Sequence, residues 1–576
     1  MSRPSRNIRR REFDGAQSLG DLSPILARVY AARGVTDPGE LDLSLAALHP
    51  PELLAGLDAA TERLQQALEH NERILIVGDF DADGATSTAL AIAALRQFGA
   101  TQLDYLVPNR FEFGYGLTPG IVALAGQRKP DLIITVDNGI SSIDGVAAAN
   151  AAGIEVLITD HHLPGQELPA ARVIVDPNQA GCSFPSKALA GVGVMFYLLL
   201  ALRTRLRDQD WFVKRGLEEP HLGSFLDLVA LGTVADVVPL DHNNRILVEG
   251  GLARMRSGRA RPGINALLSV AGRDPSAVVA SDLGFAAGPR LNAAGRLDDM
   301  SLGIECLLCE DSAQARNIAL QLDSMNRERQ RIERGMEQEA LAALAGLDLR
   351  DSDLPAALVL HDPGWHQGVV GILASRIKDR FHRPVIAFAR SDEGELKGSG
   401  RGIPGMHLRD LLDWVATQHP GLIDRFGGHA MAAGLSLPAA HYDQFAEAFT
   451  AAVEQSGGLN LEPVIESDGE LAPQDFDLAT AEMLRRAGPW GQLFPEPLFD
   501  GVFELRSQRI VGERHLKMSL SKPGDGALLE AIAFGVDTDR WPDLSVTQVR
   551  LAYRLDVNQF RGERSLQLLV EQIEAA

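Results

Sequence analysis

Three aspartates spaced two apart, Asp79, Asp81 and Asp83, close an apolar run that starts at Ile74. In an extended chain that spacing puts all three carboxylates on one face. Like charges so close repel one another unless a cation sits among them. An all-oxygen donor set suits Mg²⁺ or Mn²⁺. The same Asp-x-Asp-x-Asp-Gly pattern also opens an EF-hand loop, but the twelfth position would be Leu90, where a bidentate Glu is required. A plain acidic turn is the other bland alternative. Gly84 allows a sharp turn here, and Thr86, Ser87 and Thr88 offer caps to a following helix.

Three further stretches repeat the theme. The apolar run 132–136 ends in Asp137-Asn138-Gly139, which alone is a common turn. The run 156–159 ends in Asp160-His161-His162. Adjacent imidazoles there can supply one metal ligand and one phosphate contact, or be a pair of exposed loop residues. Asp236 lies in the apolar stretch 228–239, where a carboxylate is costly unless paired or bound to metal. Four segments thus bring acids or imidazoles to what would be one sheet edge, and together they are far more specific than any one alone.

The elements that must position them can be read from hydrophobic pattern. Candidate strands at 74–78, 103–107, 132–136, 155–159 and 173–175 alternate with helical stretches, which predicts an α/β fold with a mainly parallel sheet and helices on both faces. Ligands of such sheets bind beyond the carboxyl ends of the strands. Residues 12–70 look mostly helical, punctuated by Pro24, Pro38, Pro50 and Pro51. One long helix is expected at 311–345, where Arg327, Arg329, Arg331 and Arg334 form either a solvated face or the wall of a DNA channel. A second, smaller α/β pattern follows, with a strand at 357–361, a helix at 368–380, a strand at 384–389 and a glycine-rich segment. Within it, Ser399 and Arg401 in the run 397–402, and Gly428 and His429, are candidate phosphate cradles, since glycine lets backbone N–H groups approach an anion. Strand-like runs at 498–511, 515–521, 528–535, 547–558 and 565–572 fit a small barrel of OB type. Lys517, Arg550, Arg554, Phe560, Arg561 and Arg564 could hold a single strand there by charge and stacking, although exposed cations on strands are common.

Composition bounds the classes. The chain has 576 residues, 45% hydrophobic and 23% charged, which suits a globular protein of roughly three or four domains. No apolar run is long enough to cross a membrane, and no h-region follows the basic start at Arg3, Arg6, Arg9, Arg10 and Arg11, so a cytoplasmic protein is expected. Three cysteines argue against a disulfide scaffold, and the lone pair Cys306 and Cys309 is expected to face the core from a helix. A net charge of −22 excludes a surface coated in positive potential but allows a local nucleic-acid channel.

Taken together, the Asp-x-Asp-x-Asp-Gly run, Val136-Asp137-Asn138-Gly139, Asp160-His161-His162 and the Gly-Thr-Val-Ala-Asp run ending at Asp236 resemble the DHH phosphoesterase superfamily. Within it the chain is similar to the branch of bacterial single-strand-specific 5′→3′ DNA exonucleases of repair and recombination. The similarity covers essentially the whole chain. It extends to 288–296 with Arg290, Asn292 and Arg296, to 365–371 with His366, and to 427–434, which resembles the glycine-rich signature of an associated DHHA1 domain.

The resemblance implies a phosphodiesterase using two Mn²⁺ or Mg²⁺ ions. Asp81 and Asp83 would ligate different ions, Asp137 would bridge, His161 and Asp236 would complete ligation, and His162 would face the phosphate. Asp79 would ligate or orient, and Asp160 would fix a histidine tautomer. Ions about 3.5–4 Å apart clamp the scissile phosphate, activate a water and stabilise the leaving 3′ oxygen. Arg110, which follows a strand, and Arg290 and Arg296, with Asn292 in a glycine-rich turn, could hold a terminal 5′ phosphate through guanidinium forks or be surface salt bridges, and the resemblance adds weight to the last two. Phe111, Phe113 and Tyr115 could stack on bases or pack under their loop. The implied organisation is a lead-in at 1–70, a DHH domain at 71–310, a connecting helix at 311–345, a DHHA1 domain at 346–460 and an OB-like domain at 461–576. Implied partners are single-stranded DNA, a RecQ-type helicase and a single-strand binding protein, and a monomer is expected. The alternatives are a DHH phosphodiesterase of short oligonucleotides or cyclic dinucleotides, a pyrophosphatase, and a non-catalytic strand-binding scaffold. The OB-like tail disfavours the first two and the intact acids disfavour the third.

Overall fold

Prolines shape the start of the chain. Residues 12–70 hold only two α-helices among the described residues, α1 (Pro24–Ala31) and α2 (Leu57–Glu69), rather than the mostly helical stretch expected. Between them come three short 3₁₀ turns, Pro38–Leu41, Leu45–Ala47 and Pro51–Leu53. A proline lacks the N–H that an inner turn needs and disfavours helix in the residue before it, so closely spaced prolines cut the chain into single turns. The computed structural model describes residues 6–13, 19–20, 22–108, 116–346, 354–391, 394–428, 431–456, 461–524, 526–560 and 562–576.

Strands β1 (Ile74–Gly78), β2 (Leu103–Leu106), β3 (Leu132–Val136), β4 (Glu155–Thr159) and β5 (Val173–Val175) form one sheet in the order β2-β1-β3-β4-β5. Every neighbouring pair is parallel. The runs are apolar along their length because both faces are covered. Leu75, Val77, Ile133, Val156 and Ile158 share one core with residues of α4 (Pro119–Gly126) and α5 (Ile143–Ala151), after the intervening helix α3 (Ala82–Gln97). On the other face α3 packs with α6 (Gly191–Asp208) and α7 (Leu226–Ala235) over the buried Ile74, Ile76 and Ile134. The chain leaves β1 for the edge strand β2 and returns to β3 on the opposite side. That reversal opens a crevice at the carboxyl ends of β1 and β3, and Asp79 and Asp137 are the residues that follow those two ends.

Further along come α8 (Gly288–Leu297), α9 (Ser301–Leu308) and α10 (Ser312–Gly346). Arg290 and Arg296 therefore lie on a helix, not in a glycine-rich turn. Cys306 is buried on α9, but the helix ends before Cys309, which is partly exposed, so only one of the pair faces the core. On α10, Arg331 pairs with Glu328 at 2.5 Å on an exposed face, whereas Arg329 pairs with the buried Glu333 at 3.3 Å.

The chain divides into two units, one of residues 13–326 and 484–496, the other of 1–12, 327–483 and 497–576. In the second, β6 (Leu358–His361), β7 (Val385–Arg390), β8 (Glu395–Arg401), β9 (Arg425–Gly428) and β10 (Ala432–Pro438) form a sheet in the order β9-β10-β8-β7-β6. The glycine-rich runs read as candidate phosphate cradles thus lie on strands β8 and β9. Glycine leaves room for a neighbour: a Cβ on Gly398 would lie 2.5 Å from the Phe388 ring. Helix α11 (Val370–Phe381) packs on one face, and α12 (Leu408–Gln418) with α13 (Tyr442–Gln455) on the other. Strands β11 (Phe499–Val511), β12 (His515–Ser521), β13 (Leu529–Ala533), β14 (Gln548–Phe560) and β15 (Glu563–Ala575) close a barrel in the order β11-β12-β13-β15-β14. Among the described residues no helix is long and apolar enough to cross a membrane.

A glycine holds α5 against the first unit. A Cβ on Gly145 would lie 1.8 Å from the Leu117 carbonyl oxygen. Gly145→Ala is expected to destabilise this unit by about 1–3 kcal/mol, whereas Gly126→Ala, which meets nothing within 4 Å, should not. Thermal melts of both variants check the contrast.

Candidate metal centre

The three spaced acids do not line an extended strand. Asp79 follows β1, Asp81 is the N-cap of α3, and Asp83 lies in the first helical turn. The Asp81 Oδ1 accepts the backbone N–H of Asp83 at 2.9 Å and of Gly84 at 3.1 Å. The acids therefore wrap a strand-to-helix corner. Gly84 does not make the turn. It is inside the helix, and a Cβ there would lie 2.5 Å from the Asp79 carbonyl oxygen. Nor do the following hydroxyls cap: Thr86 and Thr88 donate back within α3, to the carbonyls of Asp83 at 3.0 Å and Gly84 at 2.8 Å.

Asp137 adopts φ +62°, a left-handed conformation uncommon for a non-glycine residue. The buried Asn138 amide braces this turn by donating to the carbonyls of Val77 at 3.1 Å and Val136 at 2.9 Å. Asp160 is the hub of the next loop. Its Oδ2 accepts the Ile140 N–H at 2.8 Å. Its Oδ1 lies 2.7 Å from the His161 backbone nitrogen, 3.2 Å from that of His162 and 2.7 Å from His162 Nδ1. Such a partner fixes the histidine tautomer. The His161 Nε2 lies 3.1 Å from Asp137 Oδ1 and 3.5 Å from Asp236 Oδ2. Asp236 ends α7 as its C-cap, and its Oδ2 is buried without a hydrogen-bond partner.

Ligand-type atoms of Asp79, Asp81 and Asp137 lie within 4.8 Å of one another, as do those of Asp83, His161 and Asp236, and those of Asp137, His161 and His162. The sets overlap at Asp137 and His161. Seven of the eight residues singled out at the sheet edge fall in these sets, and the eighth, Asp160, holds the histidines.

Electrostatics at this edge is dominated by burial and like charge. Burial pushes Asp83 up to about 7, with the Asp81 charge adding to it and the amides of Val192 and Gly191 opposing it. Those amides, at the N-terminus of α6, sit 3.0 and 2.6 Å from the Asp83 oxygens. Desolvation raises Asp137 and Asp236 well above the carboxylate range, and neighbouring carboxylates raise them further. Burial also pushes on Asp160, but the hydrogen bond and charge of His162 outweigh it and hold Asp160 low. Burial opposes a charged His162, yet Asp160 prevails and lifts it to about 9. Carboxylates forced together, a buried oxygen without a partner, and oxygen donors with one imidazole fit a hard divalent cation.

Several positioning groups escaped the sequence reading. The α6 N-terminus on Asp83 is one. Asp176, after β5, is another strand-end acid, pushed up to about 8 by burial. It accepts the Asn178 N–H at 2.7 Å, and Asn178 donates to the His161 carbonyl at 2.6 Å. Its place at the end of β5 was the available signal.

The candidate phosphate contacts divide. Arg290 donates to the Ala286 carbonyl and pairs with Asp323, both at 2.7 Å. The Asn292 Oδ1 accepts the Ala82 N–H at 2.7 Å. Arg296 lies in the last turn of α8. In the second unit, Arg401 donates to Ser399 Oγ at 3.0 Å and to the Gly400 carbonyl at 2.7 Å. Gly371 lies against both, since a Cβ there would be 2.8 Å from Ser399 Oγ and 2.9 Å from Arg401 Nη2. Burial lowers the pKa of Arg401, and among the described residues no carboxylate lies within ion-pair distance of it. Gly428 ends β9 with φ +140°. Arg110, Phe111, Phe113, Tyr115, His429, Arg561 and the Phe560 side chain lie outside the described residues. Among the described residues, the barrel cations expected to meet a strand sit on acids: Lys517 on Glu530, Arg550 on Asp500, Arg554 on Glu571 and Arg564 on Glu482.

A parallel sheet whose switch point gathers these aspartates and an Asp-His-His turn defines a DHH-type protein. Residues 73–233 match the DHH family N-terminal domain, 354–455 the DHHA1 domain and 467–572 the RecJ OB domain. The single-stranded-DNA-specific exonuclease RecJ of Dickeya dadantii (strain 3937) is 59% identical over 98% of each chain. The crystal structure of RecJ in complex with Mn²⁺ from Thermus thermophilus matches with a TM-score of 0.80 at 29% identity, over 99% of this chain and 80% of that one. The Mg²⁺ complex from the same organism matches with a TM-score of 0.74 at 28% identity, over 99% and 78%. The chain belongs to the RecJ family of single-stranded-DNA-specific exonucleases.

Carboxylates raised on folding favour the native state below their unfolded pKa, and that stability is lost as pH rises through the folded value. With Asp83 at about 7 and Asp137 and Asp236 also raised, the metal-free protein should lose stability across the neutral range. Melting temperature in EDTA is expected to fall from about pH 5 to pH 8. Mn²⁺ should restore it at the upper end, and Asp137→Asn should flatten the fall.

Proposed function

We propose that this chain is a metal-dependent exonuclease that hydrolyses single-stranded DNA from a 5′ end to 5′-mononucleotides in repair and recombination. The observation that carries the reading is the chain of three ligand sets linked through Asp137 and His161 beyond the β1/β3 crevice. Asp79, Asp81, Asp83, Asp137, His161 and Asp236 would hold Mn²⁺ or Mg²⁺, with Asp137 shared. When bound, such ions supply an acidified water and charge stabilisation for the phosphate and the leaving oxygen.

The chain's own residues do the rest. Asp160, 2.7 Å from His162 Nδ1, favours the cationic imidazole, which would offer positive charge to an incoming phosphate. The Asp160 carboxylate also holds both histidine amides, so the imidazoles stay placed as the substrate changes. The α6 N-terminus stabilises the ionised form of Asp83. In the second unit, Arg401 and Ser399 would take a phosphate, because a desolvated guanidinium without a carboxylate is an anion site in waiting. Arg110, Arg296, Gly428 and His429 are proposed as further phosphate contacts on the strength of the motif resemblance. Arg290, already spent on Asp323 and Ala286, is the weaker candidate.

Polarity rests on the resemblance of the motifs. The same resemblance supports a RecQ-type helicase and a single-strand binding protein as partners, and a cytoplasmic monomer is the default reading. It also supports the division into a lead-in at 1–70, a DHH domain at 71–310, a connecting helix at 311–345, a DHHA1 domain at 346–460 and an OB-like nucleic-acid-binding domain at 461–576.

The test uses single-stranded DNA labelled at one end or the other, with Mg²⁺, Mn²⁺ or EDTA, and blunt duplex as control. Labelled mononucleotide should appear at once from the 5′-labelled strand and only with metal. Asp137→Ala should lower the rate by more than about 100-fold, beyond the usual loss of an outer-shell partner, while DNA binding persists. Release from the 3′-labelled strand would overturn the polarity, and turnover of dinucleotides alone would move the protein to the small-substrate branch.

A further inference from the structure

The first turn of α3 carries Asp81 and Asp83, and its backbone amides decide where their carboxylates point. A helix leaves its first N–H groups without partners inside the helix. Two of them, on Asp83 and Gly84, are taken by Asp81 Oδ1, and the Ala85 N–H bonds to the Asp81 carbonyl at 2.9 Å. That leaves Ala82, which is 1% exposed and so out of reach of water. Its N–H donates to Asn292 Oδ1 at 2.7 Å, from a helix far along the chain.

A second contact shows that α8 is built to grip this corner. One turn beyond Asn292, a Cβ on Gly295 would lie 1.8 Å from the Phe80 carbonyl oxygen. Only glycine lets the helix come so near. The two contacts, to Phe80 and to Ala82, fall on either side of Asp81. With Asn292 in place, all the first-turn amides are satisfied and Asp81 spends one oxygen on the cap. Without it, the buried Ala82 N–H would compete for the acceptors closest in sequence, the carboxylates of Asp79 and Asp81.

We propose that Asn292 is a positioning residue that sets metal affinity by capping Ala82, rather than a residue that touches the substrate. The inference rests on the reading of Asp79, Asp81 and Asp137 as a metal set.

Mn²⁺ binding to the full chain is measured by titration calorimetry for wild type, Asn292→Ala, Asn292→Asp and Asp81→Asn. The Mn²⁺ dependence of hydrolysis and the KM for a single strand at saturating Mn²⁺ are measured alongside. Asn292→Ala is expected to weaken Mn²⁺ binding by roughly 10–100-fold, the scale for an outer-shell partner, with KM at saturating Mn²⁺ unchanged. Asn292→Asp keeps an oxygen acceptor, which caps a helix about as well as Asn, and should restore most of the affinity. Where Asn292→Ala does not fold, Asn292→Gln replaces it, since it keeps the amide but displaces the oxygen, and the same weakening is expected. Wild-type Mn²⁺ affinity with a raised KM would overturn the proposal in favour of a substrate contact. An Asn292→Asp variant as weak as Asn292→Ala would overturn the capping role. A wild type that binds no Mn²⁺, or binds it as Asp81→Asn does, would instead overturn the metal reading beneath it.

Discussion

Repulsion among carboxylates is the constraint on which this molecule turns. Asp79, Asp83 and Asp137 are buried where the sheet meets its covering helices, and Asp81 and Asp236 lie half-buried beside them. The interaction between like charges grows as the dielectric falls, and so does the cost of desolvating each one. Every nearby device lowers that cost. The α6 amides sit on Asp83, and His162, held by Asp160, turns positive charge toward the acids gathered at the crevice that topology opens. What remains uncompensated is the charge that a divalent ion would bring.

Much of the α/β framework was legible because burial on both faces writes a strand as an unbroken apolar run, and each run at this edge stops at an acid or its turn. The strands 74–78, 132–136 and 155–159 needed nothing more. The corner at Asp79–Asp83 was not legible in detail. A spacing of two suits a strand, but Asp81 is also a strong N-cap, and capping won over alternation. Glycine runs misled for a related reason. Gly398 and Gly400 make room for neighbouring rings and side chains within a sheet, and Gly295 makes room for a carbonyl, so glycine here marks close packing rather than loops. Contacts such as Asn292 to Ala82 join residues too distant in sequence for any local pattern to reveal.

Charge was the other blind spot. A count of cations on the barrel strands says nothing about which are already spoken for, and Lys517, Arg550, Arg554 and Arg564 each sit on an acid. In a chain of net charge −22, an arginine without a carboxylate is the informative one. Among the described residues Arg401 meets that description, and Gly371 lies close against its guanidinium.

The acids and imidazoles of the centre come from four segments, the last of them at the end of α7. No fragment that stops before Asp236 holds the full set. A chain still being made on the ribosome therefore carries an incomplete centre until α7 has emerged and docked beside α3. On that reading hydrolysis cannot begin before α7 is made, so a copy of a DNA-degrading enzyme still short of that point is a harmless one.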